Sequence, residues 1–132
     1  PVYGKGDQVR DWLFVTDHCE AIRIILEKGT IGQVYNVGGN NERENIEVVK
    51  EICRKLDSIL PSNDLNSYEE LIKFVDDRPG HDLRYAINSK KIKTELGWDP
   101  VESFNSGLDK TIKWYLNNPI WLKEIKSADY SK

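Results

Sequence analysis

Residues 76 to 82, Asp-Asp-Arg-Pro-Gly-His-Asp, hold the densest chemistry in this sequence. Pro79 disfavours the helical region for the residue before it, so Arg78 is expected to be extended. Pro79 then suits the second position of a turn, and Gly80 can take the positive φ that a type II turn needs at its third. Arg78 and His81 stand at the two ends of that turn, where Cα atoms lie within about 7 Å. A guanidinium and an imidazole so placed can converge on one anionic group. The same residues also allow a plain solvated turn, in which Arg78 pairs with Asp76, Asp77 or Asp82 and contributes little.

Two more donors sit at the edges of expected elements. Arg10 precedes the apolar run Asp-Trp-Leu-Phe-Val, and Asn45 opens a helical pattern. A diphosphate spreads negative charge over several oxygens, and planar guanidinium forks match that arrangement better than lysines do. Each has a simpler alternative: Arg10 could pair with Asp7 or Asp11, Asn45 could be a helix cap, and Tyr3 could belong to the core. Tyr-Gly-Lys-Gly near the start lacks the third small residue and the following helix of a dinucleotide loop. No Tyr is followed four positions later by Lys, no Gly-x-Ser-x-Gly elbow occurs, and His18 and His81 lack metal-ligand spacing. The expected capability is binding, with no catalytic residue and no metal site in the chain.

Composition narrows the classes further. With 132 residues the chain suits one domain, and a net charge of −3 with pI near 5.4 argues against a nucleic-acid-binding surface. No apolar run approaches the roughly 18 residues of a membrane span, and no signal-peptide pattern is present. Cys19 and Cys53 fall inside amphipathic helical patterns, where free thiols are expected, and a reducing cytoplasm fits best. The chain contains no methionine and opens on Pro-Val-Tyr-Gly-Lys-Gly, so it is expected to be a piece of a larger protein.

The elements that must position these residues can be read from periodicity. Trp12 to Val15 is expected as a short strand, followed by a helix whose start carries Asp17 and Glu20 as a capping-box variant and which stops at Gly29. Residues 32 to 41 read as a strand and turn. Residues 45 to 60 carry a helical period closed by Pro61. Ser67 and Glu70 announce a short helix through about Leu71, residues 72 to 77 a strand into the turn, and Leu83 to Ala86 a brief strand out of it. Asn88 or Ser89 caps a helix to Leu96, broken at Gly97. Helical spacing returns over residues 103 to 119, and a last amphipathic segment, residues 120 to 130, is expected to pack Ile120, Trp121 and Ile125 against the rest. The fold class is a small α/β or α+β domain of about five helices and a few short strands, too scattered for a doubly wound sheet.

Four stretches, PVYGKGDQVRDWLFVTDH, YNVGGNNERENIEVV, DDRPGHDLRYAINSKKI and ELGWDPVESFNSGLDKTIKWYLNN, cover nearly all of residues 1 to 118. In order and spacing they resemble the C-terminal part of dTDP-glucose 4,6-dehydratases, members of the extended short-chain dehydrogenase/reductase family. The first and last are widespread among nucleotide-sugar epimerases and dehydratases; Arg-Pro-Gly-His-Asp with the following Arg-Tyr-Ala-Ile is the more specific element. The resemblance implies that residues 1 to 132 form a nucleotide-sugar binding domain. Pro1, Val2 and Tyr3 would lie along the base and sugar, Arg10 and Arg78 would clamp the diphosphate, Asn45 would bond the nucleotide, and His81 would be a further contact. Residues Asp77, Arg78, Pro79, Gly80 and His81 would form a loop closing over the substrate.

The implied activity is conversion of dTDP-glucose to its 4-keto-6-deoxy product, with NAD and the acid-base residues held upstream in the protein's own N-terminal Rossmann domain. The resemblance also implies a homodimer of the whole protein, with no nucleic-acid or membrane partner. Thr16 departs from the family pattern, standing where relatives often carry an acid. Two alternatives remain from the residues themselves: a domain of another nucleotide-sugar epimerase or decarboxylase, and a stand-alone nucleotide-sugar binding module.

Overall fold

A computed structural model describes residues 1 to 127. Five helices and four very short strands follow in the order β1 (Val2–Tyr3), β2 (Val9–Asp11), α1 (Val15–Lys28), β3 (Glu42–Glu44), α2 (Asn45–Ile59), a 3₁₀ turn (Tyr68–Leu71), β4 (Phe74–Val75), α3 (Lys90–Leu96), α4 (Phe104–Asn117) and α5 (Pro119–Ser127). β1 pairs parallel with β4, and β2 pairs antiparallel with β3. Val9 also bridges Arg84 in parallel. Among the described residues there is no doubly wound sheet, and the small mixed α/β class expected from the pattern holds.

The core sits where α1 crosses α3. Ala21, Ile92 and Trp98 are buried there, and Leu13, Ile24, Ile25, Tyr35, Val37 and Leu96 pack against them. Gly97 ends α3 in the left-handed conformation, φ 72°, which lets the chain turn back and insert Trp98 beside Ile92. Val48 and Cys53 of α2 and Ile112 of α4 are buried as well. Lys55 of α2 reaches Asp109 of α4 at 2.6 Å and ties those helices at their rim.

Several local expectations shift. The strand expected at Trp12 to Val15 lies earlier, at Val9–Asp11, because the ladder follows the pairing offered by Glu42–Glu44, while Leu13 serves the core and Val15 already begins α1. Asp17 is therefore inside the helix and is no capping residue. Its buried carboxylate accepts a hydrogen bond from the Glu102 backbone at 2.9 Å, pinning α1 to the loop before α4.

Residues 32 to 41 form no strand. Tyr35 and Val37 pack on the core, and the segment meets its neighbour mainly through a side chain: Gly39 and Asn41 amides donate to the Asp11 carboxylate at 2.8 and 2.7 Å, beside one backbone bond from Trp12 N to Asn41 O at 3.2 Å. Leu83 to Ala86 contributes only the bridge at Arg84. The Ser67 hydroxyl does cap its 3₁₀ turn, accepting from the Glu69 amide.

In α5, Trp121 meets Trp114 edge-on with ring centroids 4.9 Å apart. Ile120 faces solvent, so the packing expected of the last segment is carried by Trp121 and falls short at Ile120. Residues 128 to 130 of that segment lie outside the described residues.

Candidate functional site

The turn expected at residues 78 to 81 forms. Gly80 has φ 70°, and the His81 amide donates to the Arg78 carbonyl at 3.3 Å. β1 and β4 deliver this turn beside the start of the chain. Val2 donates to Lys73 O at 2.7 Å and Gly4 to Val75 O at 2.9 Å, so residues 1 to 4 run alongside the strand that leads into Asp77. Strand alternation sends the Val2 side chain into the core and leaves Tyr3 outward. The Tyr3 ring stands edge-on to His81, centroids 6.4 Å apart. Pro1 is exposed.

Arg10 is braced by backbone. Its guanidinium donates to Val9 O at 2.7 Å and Asp82 O at 3.0 Å, and its Cζ lies 4.8 Å from the Tyr85 ring centroid. Tyr85 donates its hydroxyl to Asp82, and that bond pushes the phenol above its ordinary pKa. The Arg10 and Arg78 charges oppose the rise.

Three of the acids that could neutralise these arginines, Asp11, Asp77 and Asp82, are turned elsewhere. Asp11 holds the Gly39 and Asn41 amides. Asp82 accepts from Tyr85. Asp77 takes Gln8 Nε2 on one oxygen at 3.1 Å, and on the other the Arg78 amide at 2.9 Å and His81 Nδ1 at 2.7 Å. Among the described residues neither Arg10 nor Arg78 makes a salt bridge.

Asp77 lies below the ordinary carboxylate pKa, first because of the His81 hydrogen bond and then the Arg78 amide. An ionised carboxylate only accepts, so His81 carries its proton on Nδ1 and offers Nε2 outward of this pair. The His81 side chain is 7 % exposed, which makes it a brace of the turn as much as a contact.

Asn45 is the first residue of α2 and makes no capping bond; Glu44 holds the cap position. The first two amides of that helix are taken by the loop before β2, Asn45 N to Gln8 O at 3.0 Å and Ile46 N to Gly6 O at 2.8 Å. Gln8 escaped the sequence reading. An uncharged residue in a polar loop carries no signal of its own, yet here its side chain is buried and meets Asp77 across 69 positions of sequence.

Gly4 and Gly6 do not fit a dinucleotide cradle. Both have positive φ, but a Cβ on Gly6 would lie 2.7 Å from Val2 and 2.8 Å from Ile46, so that glycine serves packing. A strand, β2, follows it rather than a helix. Another concavity of about 260 Å³ lies between α2 and α4, lined by Arg43, Glu47, Glu51, Arg54, Phe104 and Asn105. It shares no residue with the turn.

The family model described as GDP-mannose 4,6 dehydratase matches residues 1–111. This chain belongs to that family.

Within the GDP-mannose 4,6 dehydratase family its similarity runs to dTDP-glucose 4,6-dehydratases, as the sequence resemblance implied. It is 55% identical to the one from Xanthomonas campestris pv. campestris over 130 residues, 98% of this chain and 37% of that protein. It is 52% identical to one from Escherichia coli over 133 residues, 99% of this chain and 37% of that protein. Among solved structures, the dTDP-glucose 4,6-dehydratase of Bacillus anthracis in complex with NAD superposes with TM-score 0.77 at 47% identity, over 92% of this chain and 35% of that one. The chain thus spans little more than a third of the length of these relatives.

Proposed function

We propose that this chain is the substrate-binding portion of an NAD-dependent dTDP-glucose 4,6-dehydratase, and that it grips the nucleotide diphosphate of dTDP-glucose. The observation that carries this reading is that neither Arg10, stacked on Tyr85, nor Arg78, at the end of the turn, makes a salt bridge among the described residues, while Asp11, Asp77 and Asp82 are bound to other partners. Two cations without an internal acid give up hydration, but no ion pair, when the diphosphate arrives. Charge-assisted bonds from such forks are about twice as strong as neutral ones. Tyr3 and Pro1 offer an exposed edge for the nucleoside beside this clamp, and the unengaged Asn45 side chain an amide for it.

On this reading NAD, the oxidation at the sugar and the elimination of water belong to a dinucleotide-binding domain outside residues 1 to 132. The clamp still supports the rate, because binding energy from the distant diphosphate holds the hexose in position for chemistry done elsewhere. The chain's partners are then dTDP-glucose, that Rossmann domain and a second copy in a homodimer, in the cytoplasm. Among the described residues no helix is long and apolar enough to cross a membrane.

Titration calorimetry of the chain with dTDP, with Arg78→Ala as the paired variant, tests the clamp. Binding weakened roughly 10- to 100-fold in the variant is expected, the loss of one or two charge-assisted hydrogen bonds. A folded variant that binds as the wild type does overturns the assignment of Arg78. A folded wild-type chain that binds no dTDP overturns the claim that these residues hold the diphosphate by themselves.

A further inference from the structure

We propose that Gln8 is a positioning residue for this site: its buried amide holds Asp77, and Asp77 holds the His81 imidazole and the Arg78 backbone, so that a ligand meets a turn already set. The inference rests on the clamp reading above for its purpose, though not for its geometry.

Gln8 is 3 % exposed and sits where three parts of the site meet. Its carbonyl takes the Asn45 amide at the start of α2, its side-chain nitrogen donates to Asp77 Oδ2 at 3.1 Å, and Arg10 follows two residues later. Asp77 is thereby committed on both oxygens, the second shared by the Arg78 amide and His81 Nδ1. A carboxylate one position from Arg78 would otherwise be its nearest counter-ion. Gln8 draws that carboxylate away from the guanidinium, which leaves the cation free and freezes the backbone that carries it. The alternative neighbour is also shut out: a Cβ on Gly4 would come within 3.0 Å of Asp77 Oδ2, so the glycine leaves room for the carboxylate to lie against the start of the chain.

The amide is chemically specific at this position. A carboxylate at position 8 would face Asp77 with like charge in a partly buried contact, and an apolar residue would leave Oδ2 without its donor. Exchanging the two functions, Gln8→Glu together with Asp77→Asn, keeps every bond. The new amide at 77 donates back to position 8, while its oxygen still accepts from the Arg78 amide and from His81 Nδ1.

The experiment has two independent readouts on the chain. Without ligand, ¹⁵N relaxation of Asp77, Arg78, Gly80 and His81 reports the order of residues 77 to 81, Pro79 having no N–H. With dTDP, calorimetry reports affinity. Gln8→Ala and Gln8→Glu are expected to lower the order parameters of residues 77 to 81 while α1 and α3 keep theirs, and to weaken dTDP binding about tenfold, the worth of one hydrogen bond. Gln8→Glu with Asp77→Asn is expected to restore both. Order parameters at residues 77 to 81 unchanged in Gln8→Glu overturn the positioning role, whatever dTDP does. So does a double variant no better ordered than Gln8→Glu alone. Should Gln8→Ala not fold, the Gln8→Glu and double-variant comparison decides. If wild type binds no dTDP, the clamp reading fails while the relaxation data still judge Gln8.

Discussion

Arg10 stands over Tyr85, its Cζ 4.8 Å from the ring centroid, and its other contacts are backbone carbonyls. The ring supplies a surface that attracts the cation without neutralising it, which a carboxylate in the same place would not do. An exposed cation–π contact contributes about 0.5–1 kcal/mol. Tyr85→Ala is therefore expected to weaken dTDP binding by roughly two- to fivefold. Tyr85→Phe keeps the platform but releases Asp82, whose freed carboxylate can then turn to an arginine. Its affinity should fall as well, and adding Asp82→Asn to it should return affinity to the wild-type level. Calorimetry across the three variants separates platform from counter-ion, and an unaltered affinity in Tyr85→Ala would discard the platform.

The lowered pKa of Asp77 couples the turn to acid. Its first cause is the His81 hydrogen bond, followed by the Arg78 amide, with Gln8 contributing less. A carboxyl whose folded pKa lies below its unfolded value stabilises the fold above the unfolded value, and that contribution is lost as pH falls through the folded one. Acidification from neutral pH should leave residues 77 to 81 ordered until pH drops past the ordinary carboxylate range. Below it they loosen while the Ala21–Ile92–Trp98 core persists. The carboxyl carbon shift of Asp77 followed against pH checks this, with a midpoint below that of a peptide spanning residues 74 to 83. In Asp77→Asn the acid-linked loosening should vanish. A midpoint equal to the peptide's refutes the coupling.

Helices were the legible part of this sequence, and the site's cations were legible by type. Helical spacing over residues 45 to 60 and 103 to 119 needs only local periodicity, and Gly97 ends its helix in the expected way. Arg-Pro-Gly-His forms its turn for reasons internal to those four residues. Of the strands only Phe74–Val75, inside the expected residues 72 to 77, was legible; the others were not, because ladders of two or three residues are chosen by partners far along the chain: Val2 by Phe74, Arg10 by Arg43. Their charged rows, Val-Arg-Asp against Glu-Arg-Glu, carry no alternation to read. Asp17 and Gln8 fall in the same class. Residue type marks the first as a cap and the second as solvent-facing, and only the fold reveals that both are buried and spent on joining distant segments.

Gly39 and Gly80 should respond to the same substitution for different reasons. A Cβ on Gly39 would sit 2.2 Å from the Trp12 carbonyl oxygen, so Gly39→Ala must push residues 38 to 41 away from Asp11 and Trp12. Overpacking against backbone costs about 1–3 kcal/mol, and the displaced loop takes the hydrogen bonds at Asp11 with it. Gly80 has open space around it and φ 70°, so Gly80→Ala meets only the left-handed backbone penalty, about 1 kcal/mol. Urea unfolding should place the midpoint of Gly39→Ala below that of Gly80→Ala at equal slope. Affinity for dTDP should divide the pair the other way. Gly80 belongs to the turn itself, and a turn relaxed away from positive φ moves Arg78 relative to His81; Gly39 acts only at a distance, through Asp11. Gly80→Ala is thus expected to cost binding more than stability, and Gly39→Ala stability more than binding. The reverse ordering would place the ligand's anion at the Gly39 loop instead of the Arg78 turn.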